Sequence, residues 1–186
     1  MVAVNWVEFE REWIDAIALA CSEIRNESPQ EELYAGAFWL LYGDYKSLLV
    51  PAFALNCEAH ATLTEESGQA IDVRWDPSEW KWSSVDQAVE YMRPLYKQFI
   101  DLDISAEDFE QLWESHAAML AKVCRTTTSC ARARSGKFSN IELPSKFLVG
   151  IIDWAQGDDL PKLLRLSLSE EVLVEHDTLL LEALRT

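Results

Sequence analysis

The chain has 186 residues, 49% of them apolar, and 32 acidic against 16 basic side chains, a formal charge of −16. That composition excludes a disordered chain, and the length suffices for one domain, 1–186, with its own core. A field of this sign repels nucleic acid and anionic membrane and speeds encounter with basic partners.

No apolar run is long enough to cross a bilayer, and no basic region precedes an apolar stretch at the N-terminus. The expectation is a cytoplasmic protein.

Trp6, Phe9, Trp13, Ile14, Ile17, Cys21 and Ile24 recur at steps of three and four, which predicts an amphipathic helix over 5–25 that ends before Pro29. Two apolar runs, 33–42 and 46–55, flank Gly43, Asp44 and Tyr45 and read as a hairpin. Asn56 is placed to cap a short helix over 57–64. Ile71, Val73 and Trp75 alternate with Asp72, Arg74 and Asp76, the period of a half-buried strand, which Pro77 ends. Asp76 can cap the turn that follows. Ser83 and Ser84, with Asp86 and Gln87, open a helix that Pro94 should kink or break. Ser105 and Asp108 open another, with Phe109, Leu112, Trp113, His116, Met119, Leu120 and Val123 on its apolar face. The only basic segment, Lys122, Arg125, Arg132, Arg134 and Lys137, reads as a solvated loop or a helix end. Phe147 to Ile152 is a continuous apolar run, expected to be a central strand buried together with Trp75. Helices over 160–166 and 169–184 complete the chain.

This order predicts an α+β fold: a small, mostly antiparallel sheet of about four strands with helices packed around it.

The four cysteines, Cys21, Cys57, Cys124 and Cys130, include no C-x-x-C pair and are expected to be reduced. None of the three histidines, His60, His116 and His176, has a metal ligand at the usual spacing. No phosphate-cradling loop, nucleophile elbow or dinucleotide fingerprint is present, so no metal or other cofactor is expected. A binding protein is favoured over an enzyme. The alternatives are a small hydrolase using His116 or His60 with a carboxylate, and an adaptor whose acidity serves solubility.

Pro51-Ala52, then Asn56-Cys57-Glu58 at a helix start, then Arg74-Trp75-Asp76-Pro77-Ser78-Glu79-Trp80 follow each other in an order that resembles a bacterial family catalogued as domain of unknown function four-three-zero-three. The likeness covers roughly the first two thirds of the chain in order and spacing. It implies association with bacterial toxin systems, as a candidate immunity protein that binds a cognate toxin or effector. It brings no catalytic residues with it.

The residues expected to meet such a partner are Asp76, Glu79, Trp80 and Trp82 at the strand end, and Asp101, Asp103 and Glu107 ahead of the next helix. Each group has a second reading. The tryptophans can instead close the core, and the acids can instead stabilise the Ser105 helix through its dipole.

Overall fold

The structure, a computed structural model, describes residues 4–41, 43–44, 46–66 and 74–176. Helix α1 (Trp6–Glu27) runs to Ser28, whose N–H closes on the Ile24 carbonyl just before Pro29. Strand β1 (Leu33–Trp39) leads through a two-residue ribbon, β2 (Gly43–Asp44) and β3 (Ser47–Leu48), to β4 (Ala52–Cys57). Helices α2 (Glu58–Glu66), α3 (Asp86–Tyr96) and α4 (Ala106–Arg132) follow. Strand β5 (Leu148–Ile151), α5 (Leu160–Ser167) and α6 (Glu170–His176) end the described chain.

The main sheet has three strands in the order β4-β1-β5, with β4 antiparallel and β5 parallel to β1. It is therefore a mixed sheet of three strands and departs from the expected, mostly antiparallel, four. The predicted pairing is real, with Trp39 opposite Ala52, but its second strand starts only after Pro51, and Gly43 and Asp44, expected in the connection, form a strand of their own against Ser47 and Leu48.

The run from Phe147 to Ile152 is an edge strand, not a central one. Its continuous burial has another cause, because side chains from two helices complete its outer edge. Val149 N donates to Thr128 Oγ1 at 2.9 Å and Ile151 N to Ser167 Oγ at 3.0 Å, while Arg132 Nε donates to the Phe147 carbonyl at 3.0 Å. The opposite edge is closed as well. Leu55 and Trp82 exchange backbone bonds of 2.9 and 3.2 Å, and Val85 N reaches the Phe53 carbonyl at 2.7 Å.

The two faces differ in grain. Phe38, Phe53, Leu55, Val149 and Ile151 pack against α1, α3 and α4. Ala35, Ala37 and Ala54 leave room on the other face for Trp75 and Trp80, covered by α5 and α6. Trp75 is buried in one cluster with Leu148 and Ile152, as expected. The strand predicted around it is not seen: Arg74 and Trp75 lie in a 3₁₀ turn, and Ile71, Asp72 and Val73 lie outside the described residues.

Two further expectations are corrected. Asn56 is not a helix cap but a fully buried strand residue. Its Oδ1 accepts from Cys57 N at 3.0 Å and Lys81 N at 3.4 Å, and its Nδ2 donates to Tyr34 Oη at 3.1 Å. Helix α3 starts after Val85, not at Ser83 or Ser84, because Val85 is buried with its N–H tied to β4. Pro94 lies in the last turn of α3, which gives way to a 3₁₀ turn over Lys97–Phe99. Among the described residues no helix is long and apolar enough to cross a membrane.

Candidate functional site

Ser105 opens α4 as the Ser-x-x-Asp spacing requires. Its Oγ accepts from Asp108 N at 3.1 Å and donates to Asp108 Oδ2 at 3.0 Å. The helix then divides by charge. Residues 98–121 hold Asp101, Asp103, Glu107, Asp108, Glu110 and Glu114 and no Lys or Arg, whereas 122–137 hold five cations and no acid.

Four of the five cations are engaged inside the fold, and the fifth, Arg134, is exposed. Lys122 pairs with Glu10 at 2.6 Å and Lys137 with Asp15 at 2.9 Å, both on α1. Arg125 and Arg132 donate to the Leu166 and Phe147 carbonyls. The acidic half has no such counterparts. Asp101, Asp103, Glu107, Glu110 and Glu114 are all exposed, and among the described residues none of their carboxylates makes an ion pair or a hydrogen bond.

Two clefts flank this acidic ridge. One of about 110 Å³ lies towards the start of α1 and is lined by Trp6, Ile104 and Leu112. The other, about 250 Å³, separates α4 from α5 and is lined by Glu110, Trp113, Glu114 and Asp159. Trp6 and Trp113 are half-buried, and their indole N–H groups make no hydrogen bond among the described residues. By contrast, Trp13, Trp39, Trp80 and Trp154 each donate to a named acceptor.

The other predicted group sits elsewhere. Asp76 caps its turn, Oδ1 accepting from Ser78 N at 3.0 Å and Ser78 Oγ at 2.6 Å. Glu79 is exposed, and its carbonyl accepts from His60 Nε2 at 3.0 Å. Trp80 is 3% exposed and donates to the Arg74 carbonyl at 3.1 Å, which makes it a core residue. Trp82 is half-buried, with the Lys81 ammonium 5.0 Å from its ring centroid. Arg74 Nη2 bonds both Glu58 oxygens at 2.7 and 2.9 Å and lies over the Tyr34 ring.

This turn is fastened to the end of β4 and to α2. Asp101 and Leu102 hang instead from Ser47 and Lys46, through bonds of 3.3 and 2.6 Å. The fold thus keeps the two predicted groups apart. It adds Glu110, Glu114, Asp159, Trp6 and Trp113 to the second. Glu107, Glu110 and Glu114 repeat at three- and four-residue steps, a stripe the sequence does display. Asp159 carries no local signal, since only the docking of α5 brings it near.

The titratable groups of the interior are held neutral or paired. His116 is buried, with Nε2 2.6 Å from Tyr96 Oη, and desolvation pushes its pKa down to about 3. Cys57 donates to Glu31 Oε2 at 2.8 Å, and Lys81 holds Glu31 Oε1 at 2.5 Å. Burial, then that carboxylate, pushes the Cys57 thiol up to about 11. The hydrogen bonds from Cys57 and Lys81 hold Glu31 below the usual carboxylate range. All four cysteines are free thiols. Cys124 and Cys130 lie six residues apart on one helix, roughly 9 Å along its axis, too far to bridge. Among the described residues no group of three or more His, Cys, Asp or Glu is placed to hold a metal ion.

No protein-family model matches the chain, and neither a curated protein nor a solved structure shows significant similarity to it.

Proposed function

We propose that this chain is a binding protein whose acidic α4 ridge covers the cationic surface of a partner protein, and that it serves as an immunity protein neutralising a toxin that acts on an anionic substrate. One observation carries the reading. Four of the five cations of α4 and its extension are engaged within the fold, whereas the exposed carboxylates from Asp101 to Glu114 have no internal counter-ion.

An uncompensated ridge raises the encounter rate with a basic surface and places carboxylates where a toxin would receive phosphates. The tryptophans beside the ridge suit the aromatic anchoring that sets the lifetime of such complexes. The hydrolase reading gains nothing from His116, whose hydrogen bond goes to Tyr96 inside an aromatic cluster.

The test is co-expression and co-purification with the protein encoded beside this chain in its genome. A one-to-one complex is expected, with relief of that protein's toxicity and an association rate that falls about tenfold or more as salt rises. The double variant Asp101→Lys, Asp103→Lys should slow association while leaving the melting temperature within a few degrees. No complex, or association indifferent to both salt and the double variant, sinks the proposal. If instead the variant melts early and binds normally, these two acids serve the fold, through the helix dipole or through the left-handed backbone of Asp101.

A further inference from the structure

The cleft between α4 and α5 has features that the acidic ridge alone lacks. Its volume is about 250 Å³, and its apolar wall includes Trp113 and Leu166. Three carboxylates line it, Glu110 and Glu114 one turn apart on α4 and Asp159 at the head of α5, against the single cation Lys162. These acids are not grouped closely enough to hold a metal ion. The cation that suits them is therefore an extended one.

Trp113 supplies a second requirement. One side of its indole packs near His116, with ring centroids 6.1 Å apart, and the residue also lines the cleft. Two other aromatic faces already carry cations of the fold, Arg74 over the buried Tyr34 at 4.5 Å and Lys81 over the half-buried Trp82 at 5.0 Å. No cation of the described chain lies over Trp113, and its indole N–H has no acceptor there.

We infer that the α4–α5 cleft receives one arginine side chain of a basic polypeptide, its guanidinium stacked on Trp113 and hydrogen-bonded by Glu114 and Asp159. This deepens the proposed function, and it rests on that reading only for the identity of the polypeptide that brings the arginine. A guanidinium fits better than an ammonium. It is planar, so it stacks on an indole. It is weakly hydrated, so entering a part-apolar cleft costs it less. Its fork of donors reaches carboxylates on two walls at once.

The probe is the peptide acetyl-Gly-Arg-Gly-amide, with counterparts carrying lysine and the neutral isostere citrulline. The reporter is the set of indole N–H resonances of the full chain, with Trp6 and Trp82 as internal references. The arginine peptide should shift the Trp113 resonance saturably, the lysine peptide should bind about threefold or more weakly, and the citrulline peptide should leave Trp113 unmoved. Glu114→Gln combined with Asp159→Asn, exposed substitutions that preserve shape, should weaken the arginine peptide about tenfold with the remaining spectrum unchanged.

A Trp113 resonance unmoved by the arginine peptide overturns the inference. So does equal response to citrulline, or unaltered binding by the double variant. The two proposals fail separately. A salt-dependent complex with the neighbouring protein, together with no peptide effect at Trp113, removes the cleft and keeps the binding function. Arginine binding at Trp113 in a chain that forms no such complex supports the cleft and removes the immunity role.

Discussion

His116 sets how this protein should respond to acid. Its Nε2 meets Tyr96 Oη at 2.6 Å, and Tyr96 Oη in turn accepts from Trp13 Nε1 at 3.2 Å, while Nδ1 is buried without a partner. A proton added here would place a charge among the rings of Trp6, Tyr96 and Trp113. Burial therefore depresses the pKa to about 3, while the unfolded chain titrates near 6.5. Between these values the unfolded state binds a proton that the folded state refuses. Stability is fully present above the unfolded value and is lost as pH falls towards the folded one. From pH 7 to pH 5 this residue alone should remove about 2 kcal/mol. Urea unfolding at the two pH values checks this, with His116→Gln as the comparison. The variant should lose that much less on acidification, whatever its own stability at pH 7. An equal loss in both proteins would mean that His116 is hydrated or charged in the fold. The sequence does show the position, a lone histidine on the apolar face of its helix. It does not show Tyr96 and Trp13, which reach it from other helices.

Helix α4 meets strand β5 through the hydroxyl of Thr128, and this threonine and its neighbour Thr127 make opposite predictions. Thr128 Oγ1 accepts from Val149 N at 2.9 Å and lies 3.3 Å from the Val149 carbonyl. Thr127 Oγ1 is equally buried and has no partner. Thr128→Val strands a buried N–H and should cost about 1–3 kcal/mol. Thr127→Val, with the same change of shape and helix propensity, should be neutral or stabilising. Equilibrium unfolding of the two variants distinguishes them, and equal losses would refute the edge-closing role of Thr128. The same contact explains what the sequence hides. The run Thr126-Thr127-Thr128 between basic residues reads as a loop or a helix end because β-branched residues favour helix weakly. Burial of Thr127, Thr128 and Ala131 carries α4 on to Arg132. The apolar run at β5 reads as central because periodicity registers burial and not neighbours. The β1–β4 pairing and the helix over α1 were legible because their partners or periods are local. The acids of the ridge were visible as charges. The clefts beside it were not, because Trp6, Trp113 and Asp159 are brought there by three different helices.

At −16 the folded chain concentrates like charge that its unfolded form spreads out. Ion pairs such as Lys122–Glu10 and Arg93–Glu90 are exposed on at least one side and contribute little each. Repulsion should therefore dominate, and its screening should raise the melting temperature by several degrees between low and physiological salt. Scanning calorimetry across that range tests this, and a melting temperature that falls with salt would show the pairs outweighing the net charge. The late position of β5 in the chain has a different consequence, at the ribosome. β1 can pair with β4 as soon as that strand appears, but its parallel partner follows about a hundred residues later, on the order of 5–20 s at cellular synthesis rates. Throughout that interval one side of β1 is without its final neighbour. The segment that waits is Ala35-Gly36-Ala37-Phe38, and apart from Phe38 its short side chains offer an incoming strand of another chain little to pack against. The residues that make room for two tryptophans in the finished protein thus also make its unfinished edge a poor template for misassembly.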